Sequence, residues 1–239
     1  SPLVVAGVTG VERPVFYAAS FILFCVLLDK LDGFAARLFN ASSEFGAQYD
    51  SLADLIAFGV APAFVAIFAF ERYAPEWYID NKLAVFVAVS IYMLCAAMRL
   101  AKYNAMDADG NPNYFSGMPS TLAGAFNALG FILAINYDAF DIPWVRQGLL
   151  IMVAATGLLM VSPLYLPKLK PRKNKVLNIF QLVVVLLCYV FGFTMQQHEF
   201  LMTCVLGYGV GGFIYGVIKK GTIDQETAEM IESSEPQTV

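Results

Sequence analysis

The chain has 239 residues, of which 59% are hydrophobic and only 14% charged, with a net charge of −4. A soluble domain of ordinary composition carries about 25% charged residues, so this chain is not one. The small negative balance also argues against a nucleic-acid partner gripped by a basic face.

Taken in order, the apolar runs predict seven membrane-spanning helices, at about 13–38, 46–70, 82–103, 118–136, 145–165, 176–195 and 200–218. The alternating strands of a closed barrel are absent. The expected fold is an all-α polytopic transmembrane helical bundle, with residues 1–220 as one transmembrane domain. Residues 221–239, GTIDQETAEMIESSEPQTV, form a polar acidic cytoplasmic tail. The opening SPLVVAGVTGVERP lacks the basic region and full apolar core of a secretory signal. It reads instead as the end of an earlier spanning helix. Four cysteines, Cys25, Cys95, Cys188 and Cys204, stand singly in apolar runs with no C-x-x-C pair, which makes them small packing side chains.

Between the first two apolar runs lies DKLDGFAARLFNASSEFGAQYDSLAD, with aspartates at 29, 32, 50 and 54. A carboxylate at membrane depth costs about 2.5–3.5 kcal/mol on insertion scales, so four together call for a compensating function. Asp29, Asp32 or Gly33, and Ala36 or Arg37 share one face of a helix. Gly46, Asp50 and Asp54 share one face of a second. Asn40, Ser42 and Ser43 are the candidate N-caps of that second helix. Two antiparallel helices joined by a short link would bring both acidic faces together.

Further along, Arg99 and Lys102 close the third span, at i and i+3. One reading is helix-dipole complementation and snorkelling; the other is recognition of a carboxylate or phosphate. Asp107, Asp109 and Asn111 match a calcium loop only in part, lacking a third ligand at the right offset and the closing Glu. The link 165–175, YLPKLKPRKNK, is basic, as cytoplasmic links are, or contacts anionic headgroups. His198 is expected to be an exposed histidine of no special role. The glycines of GYGVGGFIYG, with the pairs Gly207/Gly211 and Gly212/Gly216, predict close helix packing.

Placing the link 37–45 in the cytoplasm puts Arg37, Arg99, Lys102, Lys168, Lys170, Arg172, Lys173, Lys175, Lys219 and Lys220 on that side. Only Arg13, Arg72, Lys82 and Arg146 fall on the other. The positive-inside rule then turns the aspartate site toward the cytoplasm. The external links ERYAPEWYID and NYDAFDIPW bring Trp77, Tyr78, Tyr137 and Trp144 to an interfacial aromatic belt.

Oxygen-only ligands favour a hard cation, Mg²⁺ or Mn²⁺, over zinc. Gly33 leaves room for a substrate to approach the helix backbone, and Arg37 suits a phosphate. The combination points to phosphoryl-type transfer involving a lipid. The residues alone also admit a cation-transport site or a structural polar network.

The run Asp29-Lys-Leu-Asp32-Gly33-Phe-Ala-Ala36-Arg37, then eight residues to Gly46, three more to Asp50 and three more to Asp54, has every specified residue of a known signature. The pattern D-x₂-D-G-x₂-A-R-x₈-G-x₃-D-x₃-D resembles that of the CDP-alcohol phosphatidyltransferase family. Residues 42–63, and Arg99-Leu-Ala-Lys-Tyr-Asn104 followed by Tyr114-Phe-Ser-Gly-Met-Pro119, resemble its phosphatidylserine synthase branch. That branch often has Arg where Lys102 stands. Family members usually carry another spanning helix before the signature.

The resemblance implies transfer of a phosphatidyl group from CDP-diacylglycerol to L-serine with release of CMP, in a homodimer of the cytoplasmic membrane whose active site faces the cytoplasm. It implies a pair of Mg²⁺ or Mn²⁺ ions on Asp29, Asp32, Asp50 and Asp54. Asp29, Asp32, Gly33, Ala36, Arg37, Gly46 and Asp50 would form the CDP site. Asp54 would double as catalytic base, with Arg99 or Lys102 partnering the serine carboxylate. Other acceptors compatible with the same chemistry are inositol phosphate, glycerol phosphate and choline, and an ether-linked donor is a further variant.

Overall fold

The computed structural model describes residues 13–38, 43–106, 114–168, 175–223 and 225; for residues 32–38, 44, 47, 105, 106, 176, 177 and 180 it describes the backbone alone. The helices are α1 (Pro14–Leu38), α2 (Glu44–Asp54), α3 (Ala61–Tyr73), α4 (Pro75–Met106), α5 (Ser120–Asn136), α6 (Pro143–Val161), α7 (Lys175–Thr194) and α8 (His198–Ile218). A π-helical turn, Leu55–Val60, joins α2 to α3 without a break. Pro14, Pro75 and Pro143 each open a helix, where a missing N–H costs nothing and the fixed φ suits the first turn.

All seven expected spans are helical. Among the described residues, five stretches are long and apolar enough to cross a bilayer: Pro14–Leu31, Gln48–Tyr73, Pro75–Asn104, Pro143–Val161 and His198–Ile218. Ser120–Asn136 and Gln181–Thr194 are apolar but shorter. The protein is an all-α polytopic membrane bundle.

Helix α5 is its axis. Ala123, Gly124, Ala125, Ala128, Leu129, Phe131 and Ile132 are buried on every side of it, as expected of a helix that is apolar all round. α1, α6 and α8 pack around it, and α4 lies chiefly against α6 and α3. In the middle, Asn127 Nδ2 donates to Thr156 Oγ1 at 2.9 Å and to the Ala123 carbonyl at 3.1 Å, tying α5 to α6. One end of the bundle is closed by aromatics: Phe140 stacks on Tyr73, and Phe70 meets Phe131 edge-on.

Several expectations are corrected. The stretch ERYAPEWYID is a link that is itself partly helical: α3 ends at Tyr73, Ala74 breaks the helix (φ −143°, ψ 56°), and a short helical segment opens at Pro75. A second break comes at Asn81 (φ −112°, ψ 15°), whose Nδ2 donates to the Trp77 carbonyl at 2.9 Å. Trp77 therefore packs on Phe70, and Tyr78 is buried. Tyr137 and Trp144 are exposed, as a belt requires. His198 is buried rather than exposed, edge-on to Phe16 of α1. Its neighbour Glu199 takes a hydrogen bond from the Tyr137 hydroxyl at 2.9 Å. Asp107, Asp109 and Asn111, and most of 221–239, lie outside the described residues; residues 221–223 still wind helically, with Ile223 buried.

A feature with no sequence signal is a two-stranded antiparallel ribbon, β1 (Tyr114–Ser116) with β2 (Tyr165–Pro167), Phe115 opposite Leu166. Gly117 follows β1 with φ +76°, a region that favours glycine. The glycines of α8 divide on this ribbon. Gly212 and Gly216 pack against Leu166 and the Tyr165 carbonyl, so their partner is the ribbon and not a helix. Gly207 and Gly211 have open space where a side chain would begin. Gly216→Ala should therefore lower stability by about 1–3 kcal/mol. Gly211→Ala should be neutral or gain up to about 1 kcal/mol of helix propensity. Unfolding midpoints in detergent for both variants check this, and equal effects would refute the assigned packing.

Candidate active site

The site begins with a cap. Ser43 is the N-cap of α2: extended at φ −135° and ψ 155°, its Oγ accepts from the Gly46 N–H at 3.0 Å. A helix started there carries Gly46, Asp50 and Asp54 up one face, since four residues overshoot one turn by only about 40°. Asp54 is the last residue of α2, immediately before the π-turn.

Helix α1 runs past this face and supplies Asp29. One carboxylate oxygen from each of Asp29, Asp50 and Asp54 lies within 4.8 Å of the other two, with Asp29 and Asp54 half-buried and Asp50 exposed. The two acidic faces thus meet as the spacing predicted. Asp32, Gly33, Ala36 and Arg37 follow on the last turns of α1; their side chains lie outside the described residues. Lys30 Nζ sits 2.8 Å from Asp29 Oδ2 but is largely exposed, so the pair adds little stability.

Three hard oxygen donors converging without His or Cys form a set that a divalent cation fits. Such a set can also bring a phosphate ester to the cation, because Mg²⁺ commonly completes its shell with water and substrate phosphate.

Around the acids the structure adds contacts that spacing did not reveal. Ser51, next to Asp50, is hydrogen-bonded to Asn104 near the end of α4, with Ser51 Oγ 3.0 Å from Asn104 Nδ2. This ties the acidic face of α2 to α4. Arg99 is 9% exposed, and its Nη1 donates to the Ser116 carbonyl at 2.9 Å and to the Met160 carbonyl at 3.4 Å. It fastens β1 and the end of α6 to α4. Lys102 is exposed at the same end. Ser51, Asn104 and the two carbonyls carry no residue-type signature of such pairing, so only the packing exposes it.

Fold and site together define a class: a membrane-embedded helical bundle with a cation-competent acidic cluster at one end. A family profile described as CDP-alcohol phosphatidyltransferase matches residues 2–207. The chain belongs to the CDP-alcohol phosphatidyltransferase family, and it is a transferase. It is 33% identical over 215 residues to the CDP-diacylglycerol–serine O-phosphatidyltransferase of Helicobacter pylori, covering 86% of each chain. It is also 33% identical over 212 residues to the protein of the same name from Methanocaldococcus jannaschii, covering 89% of this chain and 88% of that one. The Saccharomyces cerevisiae protein of that name is 41% identical over 124 residues, 48% of this chain and 42% of the relative.

The three converging carboxylates predict direct cation binding. Asp50→Asn and Asp54→Asn should each weaken Mn²⁺ binding about tenfold or more, the loss of one charged ligand, read as free Mn²⁺ by electron paramagnetic resonance. Unchanged binding in both would show that the cluster is not the site.

Proposed function

We propose that this protein transfers the phosphatidyl group of CDP-diacylglycerol to the hydroxyl of L-serine, yielding phosphatidylserine and CMP. The observation that carries the reading is the convergence of Asp29, Asp50 and Asp54 within 4.8 Å, inside a sequence with the full family signature. The serine acceptor is supported by the printed names of relatives that match most of the chain.

In this reading Asp29, Asp32, Asp50 and Asp54 hold two divalent cations, Mg²⁺ or Mn²⁺. Bound there, such cations neutralise charge on the diphosphate and on the departing CMP. Gly33, Ala36, Arg37 and Gly46 belong to the nucleotide site, with Arg37 as a candidate phosphate partner. A serine hydroxyl is a weak nucleophile at neutral pH and needs a base within hydrogen-bond reach. Asp54 is that base. It takes the hydroxyl proton as the serine oxygen bonds to the lipid-side phosphorus, and the bond from that phosphorus to the bridging oxygen breaks. CMP leaves with that oxygen.

Arg99 and Lys102 are the candidates for the serine carboxylate. Arg99 already gives one guanidinium nitrogen to two carbonyls, which leaves exposed Lys102 as the freer donor. The protein works as a homodimer in the cytoplasmic membrane with the acids facing the cytoplasm. The support for this orientation is the excess of Lys and Arg in the stretches that the sequence assigns to the side of the aspartates; the homodimer rests on the family resemblance.

Purified protein with Mg²⁺ or Mn²⁺ should release CMP from CDP-diacylglycerol only when serine is added, and not with inositol phosphate, glycerol phosphate or choline. Asp54→Asn should lower this rate by about 10²-fold or more, the usual worth of a positioned base. Release with a different acceptor would keep the chemistry and move the branch. No release with any acceptor, in folded and metal-loaded protein, would overturn the reading.

For the acceptor site, Lys102→Ala and Arg99→Ala should raise the serine KM far more than the KM for the CDP-lipid. Arg99→Ala should also lower the unfolding midpoint, because two carbonyls lose their donor. Equal KM effects on both substrates would remove these residues from serine binding.

A further inference from the structure

The rod that carries the acids is not a regular helix. Between α2 and α3 the chain makes a π-turn, Leu55–Val60, and the Ala61 N–H reaches back five residues to the Ile56 carbonyl. Pro62 follows the segment directly: it has no N–H to give the Phe58 carbonyl a regular-helix bond and its ring crowds that carbonyl, which disfavours regular helix at this turn. π-turns absorb one extra residue, and they recur at functional sites.

We propose that this π-turn, clamped by the hydroxyl of Tyr92, sets the direction in which Asp50 and Asp54 face, and that Tyr92 is a positioning residue of the carboxylate site. The inference rests on the reading of that cluster as the cation site.

The geometry follows from helical arithmetic. The buried stripe of α3 includes Pro62, Ala63, Ala66, Ala69 and Phe70. An uninterrupted α-helix turns about 100° per residue, which would place Asp54, twelve positions before Ala66, about 120° away from that stripe. Absorbing one residue in the π-turn brings it back to about 20°. Asp50, one turn earlier, moves with it. The π-turn therefore lets α3 bury its apolar stripe while α2 aims its acids inward at Asp29 of α1.

Such a turn needs an anchor. The Tyr92 hydroxyl, on α4, donates to the Phe58 carbonyl at 2.6 Å, and both residues are almost wholly buried. At membrane depth no water replaces that donor. The surroundings hold the tyrosine against the turn. Gly157 of α6 leaves no room for a side chain against the Tyr92 backbone, and Gly124 of α5 lies against Phe58. Gly59, inside the turn, meets Ala96, one turn beyond Tyr92 on α4. Without the hydroxyl, the Phe58 carbonyl, to which Pro62 offers no N–H, loses that donor, the turn loses its tie to α4, and the acids lose their fixed direction.

The test uses the full chain in detergent and reads Mn²⁺ binding by electron paramagnetic resonance, with CMP release and unfolding midpoints measured alongside. Tyr92→Phe should weaken Mn²⁺ binding about fivefold or more, the scale of one lost buried hydrogen bond, at temperatures well below its unfolding midpoint. Phe131→Leu, a core change near the opposite, aromatic end, should bind Mn²⁺ as the native protein does, whatever stability it loses.

Native-like Mn²⁺ binding in Tyr92→Phe would overturn the proposal. So would the same loss in Phe131→Leu, which would make the effect general instability. These two variants decide the matter. If the native chain binds Mn²⁺ and Tyr92→Phe weakens that binding, but no acceptor yields CMP, the proposed reaction fails and the positioning role stands.

Discussion

Everything at the active end of this bundle depends on holding three carboxylates within 4.8 Å of one another beside a membrane. Two unit charges at about 4 Å repel by about 1 kcal/mol in water and about 4 kcal/mol at an effective dielectric of 20. Left alone, the helices carrying them would be driven apart. A cluster of this kind is stable only where the surrounding fold holds it and opposite charge balances it. In this protein the fold does the first part. Asp29 is fixed on a helix packed along α5, while Asp50 and Asp54 ride on a rod buried against α4, α5 and α1. A divalent cation is the natural second part.

The two ends of the bundle solve different problems. The aromatic end is sealed by Phe70, Phe131, Phe140 and Tyr73, with Tyr137 and Trp144 left at the surface. Its job is to close the apolar interior against an interface. The acidic end stays open, and there the chain invests polar ties instead: the Ser43 cap, the Ser51–Asn104 bridge and the Arg99 clasp on two carbonyls. Each satisfies groups that lipid could not; the cap starts α2, and the other two fasten elements around the acids to a neighbour. The ribbon β1–β2 belongs to this end as well, wedged against α8 by the absence of side chains at Gly212 and Gly216.

Between the ends, small residues decide how closely the helices approach. Lipid tails offer no hydrophobic drive to association, so packing and internal hydrogen bonds carry more of the load. Gly124 and Gly157 let α5 and α6 close on Phe58 and Tyr92. The Asn127–Thr156 bond lies on the same two helices and adds a polar lock in the apolar centre.

Much of this was legible in the sequence. Long apolar runs have one stable form in a bilayer, so seven helices could be read off before any coordinates. The aspartate spacing determined which side chains share a helical face, because that depends only on 3.6 residues per turn within a regular helix. Side-chain chemistry narrowed the cap to Asn40, Ser42 or Ser43, and the structure selected Ser43. What tertiary structure decided lies where regularity or locality ends. Helix periodicity gives no warning of a π-turn, yet that turn sets the facing of Asp50 and Asp54. Three-residue strands are too short to show alternation, so the ribbon was invisible. Whether His198, Trp77 and Tyr78 sit outside or inside, which glycines touch a neighbour, and whether Arg99 faces a ligand or two backbone carbonyls all depend on which helices pack together. A local pattern names the face of a helix, and only the packed bundle determines what that face meets.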